Sequence, residues 1–190
     1  MRSIFLARHG ETAWNALGRL QGHTDIPLND TGREQARALA AGLGDAGVVA
    51  VWASDLARAR DTGAIIAAVL GLAAPTIEPE LRERRFGVFE GLTRGECEAQ
   101  HPAAWRDWVA QVGTPPGAEP RPDAIARLGR ALARIAAATA AGDGPVVVVS
   151  HGGVMRLWLM DLISTPVPLI ANGAIYVVDH DAAGIRARAR

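Results

Sequence analysis

Two stretches far apart in the chain bring the same reactive groups to the end of an apolar run. Near the start, Ile4-Phe5-Leu6-Ala7 leads into Arg8-His9-Gly10-Glu11-Thr12, and much later Val146-Val147-Val148-Val149 leads into Ser150-His151-Gly152-Gly153. Arg8 supplies a forked, permanently charged donor, and each histidine supplies a ring nitrogen that can be free near neutral pH. Gly10 lets the backbone turn sharply. A lone Arg-His pair reads most simply as a histidine packed at a strand end. The recurrence of the pattern points instead to one pocket faced by both imidazoles, in which Gly152 and Gly153 leave the amides at the start of a helix open to an anion. Arg58 strengthens the case, because it falls in the first turn of an expected helix, where the dipole disfavours a cation unless an anion lies between them.

These groups need a scaffold that releases them on one edge. Apolar runs bounded by glycine suit strands covered on both faces, and ligands in open α/β sheets sit beyond the carboxyl ends of such strands. The patterning gives strands over 4–7, 48–53 and 146–149, and a closing hairpin over 174–179 and 185–190 whose alternating Arg186, Arg188 and Arg190 would blunt a sheet edge, with His180 in the turn. Helices are expected after Thr31, with a Thr31/Glu34 capping box, after Ser54-Asp55, after Asp123, and from Val154 to Leu162. Glu11 to Asn29 is a polar loop long enough to wrap a pocket. Residues 92–122 shift in composition and carry Trp105, Trp108 and a Pro115-Pro116-Gly117 turn. They form an expected helical flap in which the default place for each tryptophan is the core. Arg60, Arg82, Arg127, Arg130 and Arg134 read as solvated, and His23 as a surface histidine.

The 190 residues are 49% hydrophobic and sum to zero formal charge, so one domain over 1–190 can bury a core, and nucleic acid and membranes are poor partners. Arg8 interrupts the N-terminal apolar run, which argues against export, and the single cysteine, Cys97, agrees with a reducing cytoplasm. Every basic residue is arginine. Without lysine, Schiff-base chemistry and the lysine-bearing phosphate loop of nucleotide hydrolases are excluded.

Arg8-His9-Gly10-Glu11-Thr12 with Asn15, and Ser150-His151-Gly152-Gly153, resemble the histidine phosphatase superfamily, which includes the cofactor-dependent phosphoglycerate mutases. The likeness continues through Leu28-Asn29 with Gly32 and Gln35-Ala36, through Ser54-Asp55-Leu56 with Arg58-Ala59, and through Leu81-Arg82-Glu83 with Gly87 and Glu90-Gly91. It implies an α/β three-layer sandwich, with a mostly parallel central sheet flanked by helices and a small helical flap. It also implies Glu83 as proton donor, with Glu90 a structural partner, and Asn15, Gln21 and Gly22 beside the phosphoryl group. Pro116-Gly117-Ala118-Glu119 is similar to the Pro-Gly-Gly-Glu turn of the small phosphatases, with Ala118 departing from it.

The expected chemistry is transfer of a phosphoryl group through a loose transition state stabilised by positioning and fixed charge. Arg8 and Arg58 would grip the oxygens, His151 would donate to them, and His9 would attack phosphorus once a backbone carbonyl fixed its tautomer. Glu83 would protonate the departing oxygen and then deprotonate water, in a cycle that needs neither metal nor cofactor. Two histidines and a carboxylate are also a zinc-type set, but a cation between Arg8 and Arg58 would meet like charge. A non-catalytic phosphate-ester module is a further alternative. Between enzymes, the short chain favours a phosphatase over a cofactor-dependent mutase. The partners would be a small phosphorylated metabolite and inorganic phosphate as product, and a homodimer is compatible with the sequence. Ribazole phosphate, sugar phosphates and phosphoglycerates all remain open as substrates.

Overall fold

A computed structural model of the chain describes residues 2–139, 144–181 and 184–190. In chain order the elements are β1 (Arg2–Arg8), α1 (Ala13–Ala16), α2 (Asp30–Ala41), β2 (Ala50–Ala53), α3 (Ala57–Val69), β3 (Thr76–Ile77), α4 (Arg94–Gln100), α5 (Pro102–Val109), α6 (Arg121–Ala138), β4 (Val146–Ser150), α7 (Gly152–Ile163), β5 (Ile175–Asp181) and β6 (Gly184–Ala189). The strands form one sheet in the order β3-β2-β4-β1-β5-β6. The first four run parallel, and β5 and β6 add an antiparallel hairpin at one edge.

The strand period of two builds a core on each face. Ile4, Leu6, Val146 and Val148 pack with Leu128, Leu132, Ile135, Met155 and Leu159 from α6 and α7. Phe5, Ala7, Val147 and Val149 pack on the opposite face with Leu39, Leu43 and Ile66 from the α2 and α3 side. Burial on both faces is why these strands are unbroken apolar runs rather than alternating ones.

Register then positions the chemistry. Arg8 pairs with Ser150 across the parallel β1/β4 ladder, and the His9 amide donates to the Ser150 carbonyl at 3.1 Å. His9 and His151 therefore leave adjacent strands at the same step and edge. Ala53 pairs with Val149, which sets Ser54 beside them.

Several local expectations change. Asn29, not Thr31, caps α2, with its Oδ1 accepting the Gly32 amide at 2.8 Å. Leu56 is the cap of α3 and offers no side-chain bond. The exposed Ala57 amide is met by Asp25 Oδ1 at 2.7 Å from the preceding loop, Ser54 being committed to His151. Helix α6 begins at Arg121, so Asp123 lies inside its first turn. His180 belongs to β5, opposite Ile185, rather than to a turn. Arg186 and Arg188 are exposed on the edge strand, as their alternation implied.

Candidate active site

The cavity at the carboxyl ends of β1 and β4 has a volume of about 340 Å³, enough for a phosphate and a small alcohol. Arg8, His9, Asn15, Gln21, Arg58 and Glu83 contribute to its wall, along with Gly22 and Gly152. His151 stands just behind His9, with ring centroids 5.0 Å apart. The nine site residues read from the sequence are thus brought to one place.

His9 Nδ1 lies 2.6 Å from the Gly10 carbonyl oxygen. A carbonyl can only accept, so Nδ1 carries the proton and Nε2 keeps its lone pair. Burial, followed by the fields of Arg58 and Arg8, holds the ring's pKa well below 6.5. The imidazole is therefore neutral across the physiological range.

His151 is set the opposite way. Arg58 Nε donates to its Nδ1 at 3.2 Å, which leaves the proton on Nε2, 2.9 Å from Ser54 Oγ. Burial and then Arg58 keep this ring neutral too. Both nitrogens are engaged within the protein, so donation to a ligand requires an exchange of partners.

Arg58 is fully buried, and burial lowers its pKa to about 10, still far above neutrality. Besides His151 it donates to the carbonyls of Thr24 at 2.9 Å and Gly22 at 2.8 Å. Three of the five N–H groups of a guanidinium are used, leaving two for an anion. Arg8 donates to the Ile170 carbonyl at 2.6 Å, while its buried Nε has no partner. A Cβ on residue 152 would lie 2.9 Å from Arg8 Cδ and Nε, so Gly152 is what lets the guanidinium lie over the helix start.

Asn15 Oδ1 is occupied by the Thr12 amide and hydroxyl, both at 3.1 Å, and by Asn172 Nδ2 at 3.3 Å. That arrangement leaves Asn15 Nδ2 to donate. Gln21 is buried with Oε1 unpartnered.

Glu83 faces the start of α7. Its Oε1 accepts the amides of Arg84 at 2.8 Å and Val154 at 2.7 Å, and its Oε2 accepts that of Gly153 at 2.8 Å. A Cβ at position 153 would sit 2.7 Å from Oε1, so the glycine admits the carboxylate. Glu90, the competing carboxylate, is consumed by the amides of His23, Thr24 and Phe86 and by the Thr24 hydroxyl. Among the described residues, no three His, Cys, Asp or Glu side chains are grouped to hold a metal ion.

Trp105 and Trp108 line the cavity as well as meeting Phe89 edge to face, so the core assignment for them is incomplete. Sequence reasoning passed over Arg84, which is buried, lies 4.2 Å from the Trp108 ring centroid, and has an unpartnered Nη2. It also passed over Asn172, whose Nδ2 bonds the His9 carbonyl at 3.0 Å. Arg84 had a signal in its place next to Glu83. Asn172 had none. Arg82 is paired to Asp55 at 2.7 Å rather than solvated, and His23 is half-buried, donating from Nε2 to the Glu83 carbonyl at 2.8 Å.

Known proteins resemble this chain over nearly its whole length. The histidine phosphatase superfamily (branch 1) profile matches residues 4–189. The chain belongs to that family. It is 39% identical over 161 residues to phosphoglycerate mutase-like protein 4 of Arabidopsis thaliana, covering 80% of this chain and 67% of the relative. It is 37% identical over 180 residues to a metal-independent phosphoserine phosphatase of the same plant, covering 92% and 75%. Among solved structures, the mycobacterial glucosyl-3-phosphoglycerate phosphatase in complex with VO3 superposes with a TM-score of 0.87 at 30% identity, covering 100% of this chain and 97% of that one. As a member of the family the chain is a histidine phosphatase-type phosphomonoester hydrolase. No helix among the described residues is long and apolar enough to cross a membrane.

Proposed function

We propose that the chain hydrolyses a small phosphorylated metabolite through a phosphohistidine on His9. The observation that carries this reading is the His9 tautomer: Nδ1 is committed to the Gly10 carbonyl at 2.6 Å, which leaves Nε2 as the nucleophile. Arg8, the two free N–H groups of Arg58, and Asn15 Nδ2 hold the phosphoryl oxygens, with Gln21, Gly22 and Gly152 shaping the same cradle. A bound dianion opposes the fields of Arg8 and Arg58 that, after burial, keep His151 neutral. The ring then takes up a proton from solvent at Nδ1, the atom Arg58 Nε leaves as it turns toward the phosphoryl group, and donates from there to a phosphoryl oxygen. In-line attack by His9 breaks the ester P–O bond while Glu83 protonates the departing alcohol oxygen. Glu83, now a carboxylate, takes a proton from water as that water attacks the phosphohistidine and releases inorganic phosphate.

Segment 92–122 acts as the flap of a single domain, presenting Trp105 and Trp108 to the leaving group. The unpartnered Arg84 Nη2 suits an ester with a second anionic or acceptor group. Phosphoserine and glucosyl-3-phosphoglycerate, the compounds that give two of the similar proteins their names, accordingly lead the list of substrates to test. We place the enzyme in the cytoplasm, where a lone, buried Cys97 needs no partner.

The mutase reading keeps support from the phosphoglycerate mutase-like relative. A panel of phosphate esters, assayed with and without 2,3-bisphosphoglycerate, separates the two. Hydrolysis independent of the bisphosphate and inhibited by vanadate is expected. Transfer to a second hydroxyl that depends on the bisphosphate would make the chain a mutase, and indifference to vanadate would count against phosphoryl transfer to His9.

A further inference from the structure

Glu83 is held from behind as well as at its carboxylate. Four successive carbonyls, those of residues 80–83, each accept from a side chain remote in sequence. Arg127 Nη1 donates to Glu80 at 2.6 Å and to Arg82 at 2.9 Å, and Arg127 Nη2 donates to Glu83 at 3.2 Å. Ser150 Oγ donates to Leu81 at 2.8 Å, and His23 Nε2 to Glu83. One guanidinium on α6 thus fixes three of the four.

That guanidinium is itself oriented. Glu119, just before α6, grips it with both oxygens, Nε to Oε1 and Nη2 to Oε2 each at 2.8 Å. The two side chains are only 14% and 17% exposed, so this pair does not belong with ordinary surface ion pairs. Glu119 is also tied to the acid's own segment through its backbone, its amide donating to the Arg85 carbonyl at 3.0 Å and its carbonyl accepting from Arg84 Nε at 2.7 Å. Arg127, expected to be solvated, has neither the burial nor the partners of a solvated arginine. The stretch from 79 to 85 has no strand ladder and only a single 3-10 turn at Pro79–Leu81, so side chains from elsewhere in the chain, Arg127 foremost among them, set the rotation of its backbone.

We propose that Arg127, oriented by Glu119, is a positioning residue that aims the Glu83 carboxyl at the leaving-group oxygen. Neither side chain touches the substrate. The inference rests on Glu83 being the proton donor, as in the proposed function. A misaimed acid costs most where the departing oxygen needs a proton. 4-Nitrophenoxide leaves without one, whereas phenoxide requires it. The quantity to measure is kcat/KM, which reports the step that expels the alcohol.

The test compares phenyl phosphate with 4-nitrophenyl phosphate in Glu83→Gln, Glu119→Gln, Arg127→Lys and the Glu83→Gln/Glu119→Gln double variant. Glu83→Gln is expected to lower kcat/KM for phenyl phosphate by about a hundredfold. Glu119→Gln, which keeps the volume and removes the charge, should lower it by about tenfold, with under about twofold on the nitrophenyl ester. Arg127→Lys, which loses the fork, should follow the same pattern. In the double variant, Glu119→Gln should add nothing to Glu83→Gln on phenyl phosphate. A steep leaving-group response in Glu83→Gln with equal losses on both esters in Glu119→Gln would overturn the positioning role alone. So would full additivity in the double variant. A flat response in Glu83→Gln would remove the acid assignment and the positioning role together.

Discussion

The cavity has two walls built on different principles. The inner wall, around His9, His151, Arg58 and Glu83, comes from the ends of parallel strands and the start of α7. Each of these side chains is nearly or wholly buried, and each is pinned by backbone carbonyls, backbone amides or another site side chain. The outer wall, around Trp105, Trp108, Arg94, Leu157 and Leu169, comes from the short helices α4 and α5, the middle of α7 and a loop. Leu169 is 73% exposed. At His9 and Glu83 alternatives are closed off by hydrogen bonding and sterics, as suits groups that must act without reorganising, and only the His151–Arg58 contact has to exchange partners when an anion binds. Trp105 and Trp108 on the outer wall rest on ring contacts with Phe86 and Phe89, and we assign the reaction to the first wall and the choice of substrate to the second.

That contrast can be broken by substitution. His9→Ala should remove the nucleophile and lower kcat by about 10⁴-fold or more in steady-state assays on any ester. Retained turnover would mean that the inner wall does not carry the reaction. Trp108→Ala, on the outer wall, should raise KM by about fivefold for the preferred substrate, through loss of the ring under Arg84, with kcat within about twofold. A collapse of kcat comparable to that of His9→Ala would erase the distinction between the walls.

A third prediction concerns pH. His9 and His151 both have folded pKa values below the 6.5 of the free side chain, so the unfolded chain binds more protons once pH drops below about 6.5. Their contribution to stability is then present above that pH and is lost as pH falls toward the folded values, at up to about 1.4 kcal/mol per pH unit for each ring. Urea denaturation from pH 7.5 to 5 should show this slope, and His151→Asn should reduce it by up to about 1.4 kcal/mol per pH unit, the remainder coming from His9 and from His23, whose pKa burial also lowers. The opposite slope would mean that the rings are charged in the folded state. A smaller effect is expected from chelators, which should leave kcat within about twofold; loss of activity restored by zinc would bring back the metal reading.

The inner wall was also the more legible of the two in the sequence. Strands buried on both faces demand apolar runs, and a histidine followed by glycine at the end of such a run stands out in composition. His9 and His151 follow from that pattern and Arg58 from its place in the first turn of a helix together with the family resemblance, whereas Glu83, Asn15, Gln21 and Gly22 follow from the resemblance alone. The parts that escaped depend on contacts between segments far apart in the chain. Asp25 meets the first amide of α3, which no local capping rule anticipates. Arg127 sits on a helix face that looked solvated until residues 80–83 and Glu119 were folded against it. Asn172 lies in a loop without any periodic pattern, yet it ties the His9 carbonyl to Asn15. Trp105 and Trp108 have the composition of a core and serve the cavity as well, a distinction that hydrophobicity alone does not make.

The most direct test of the account is to trap the covalent species. Rapid quench of the enzyme during turnover, followed by peptide mapping under alkaline conditions that preserve phosphoramidates, should place an acid-labile phosphoryl group on the peptide carrying His9, with none in His9→Ala. Continued turnover with no such adduct, or with the phosphoryl group on any other residue, would contradict it.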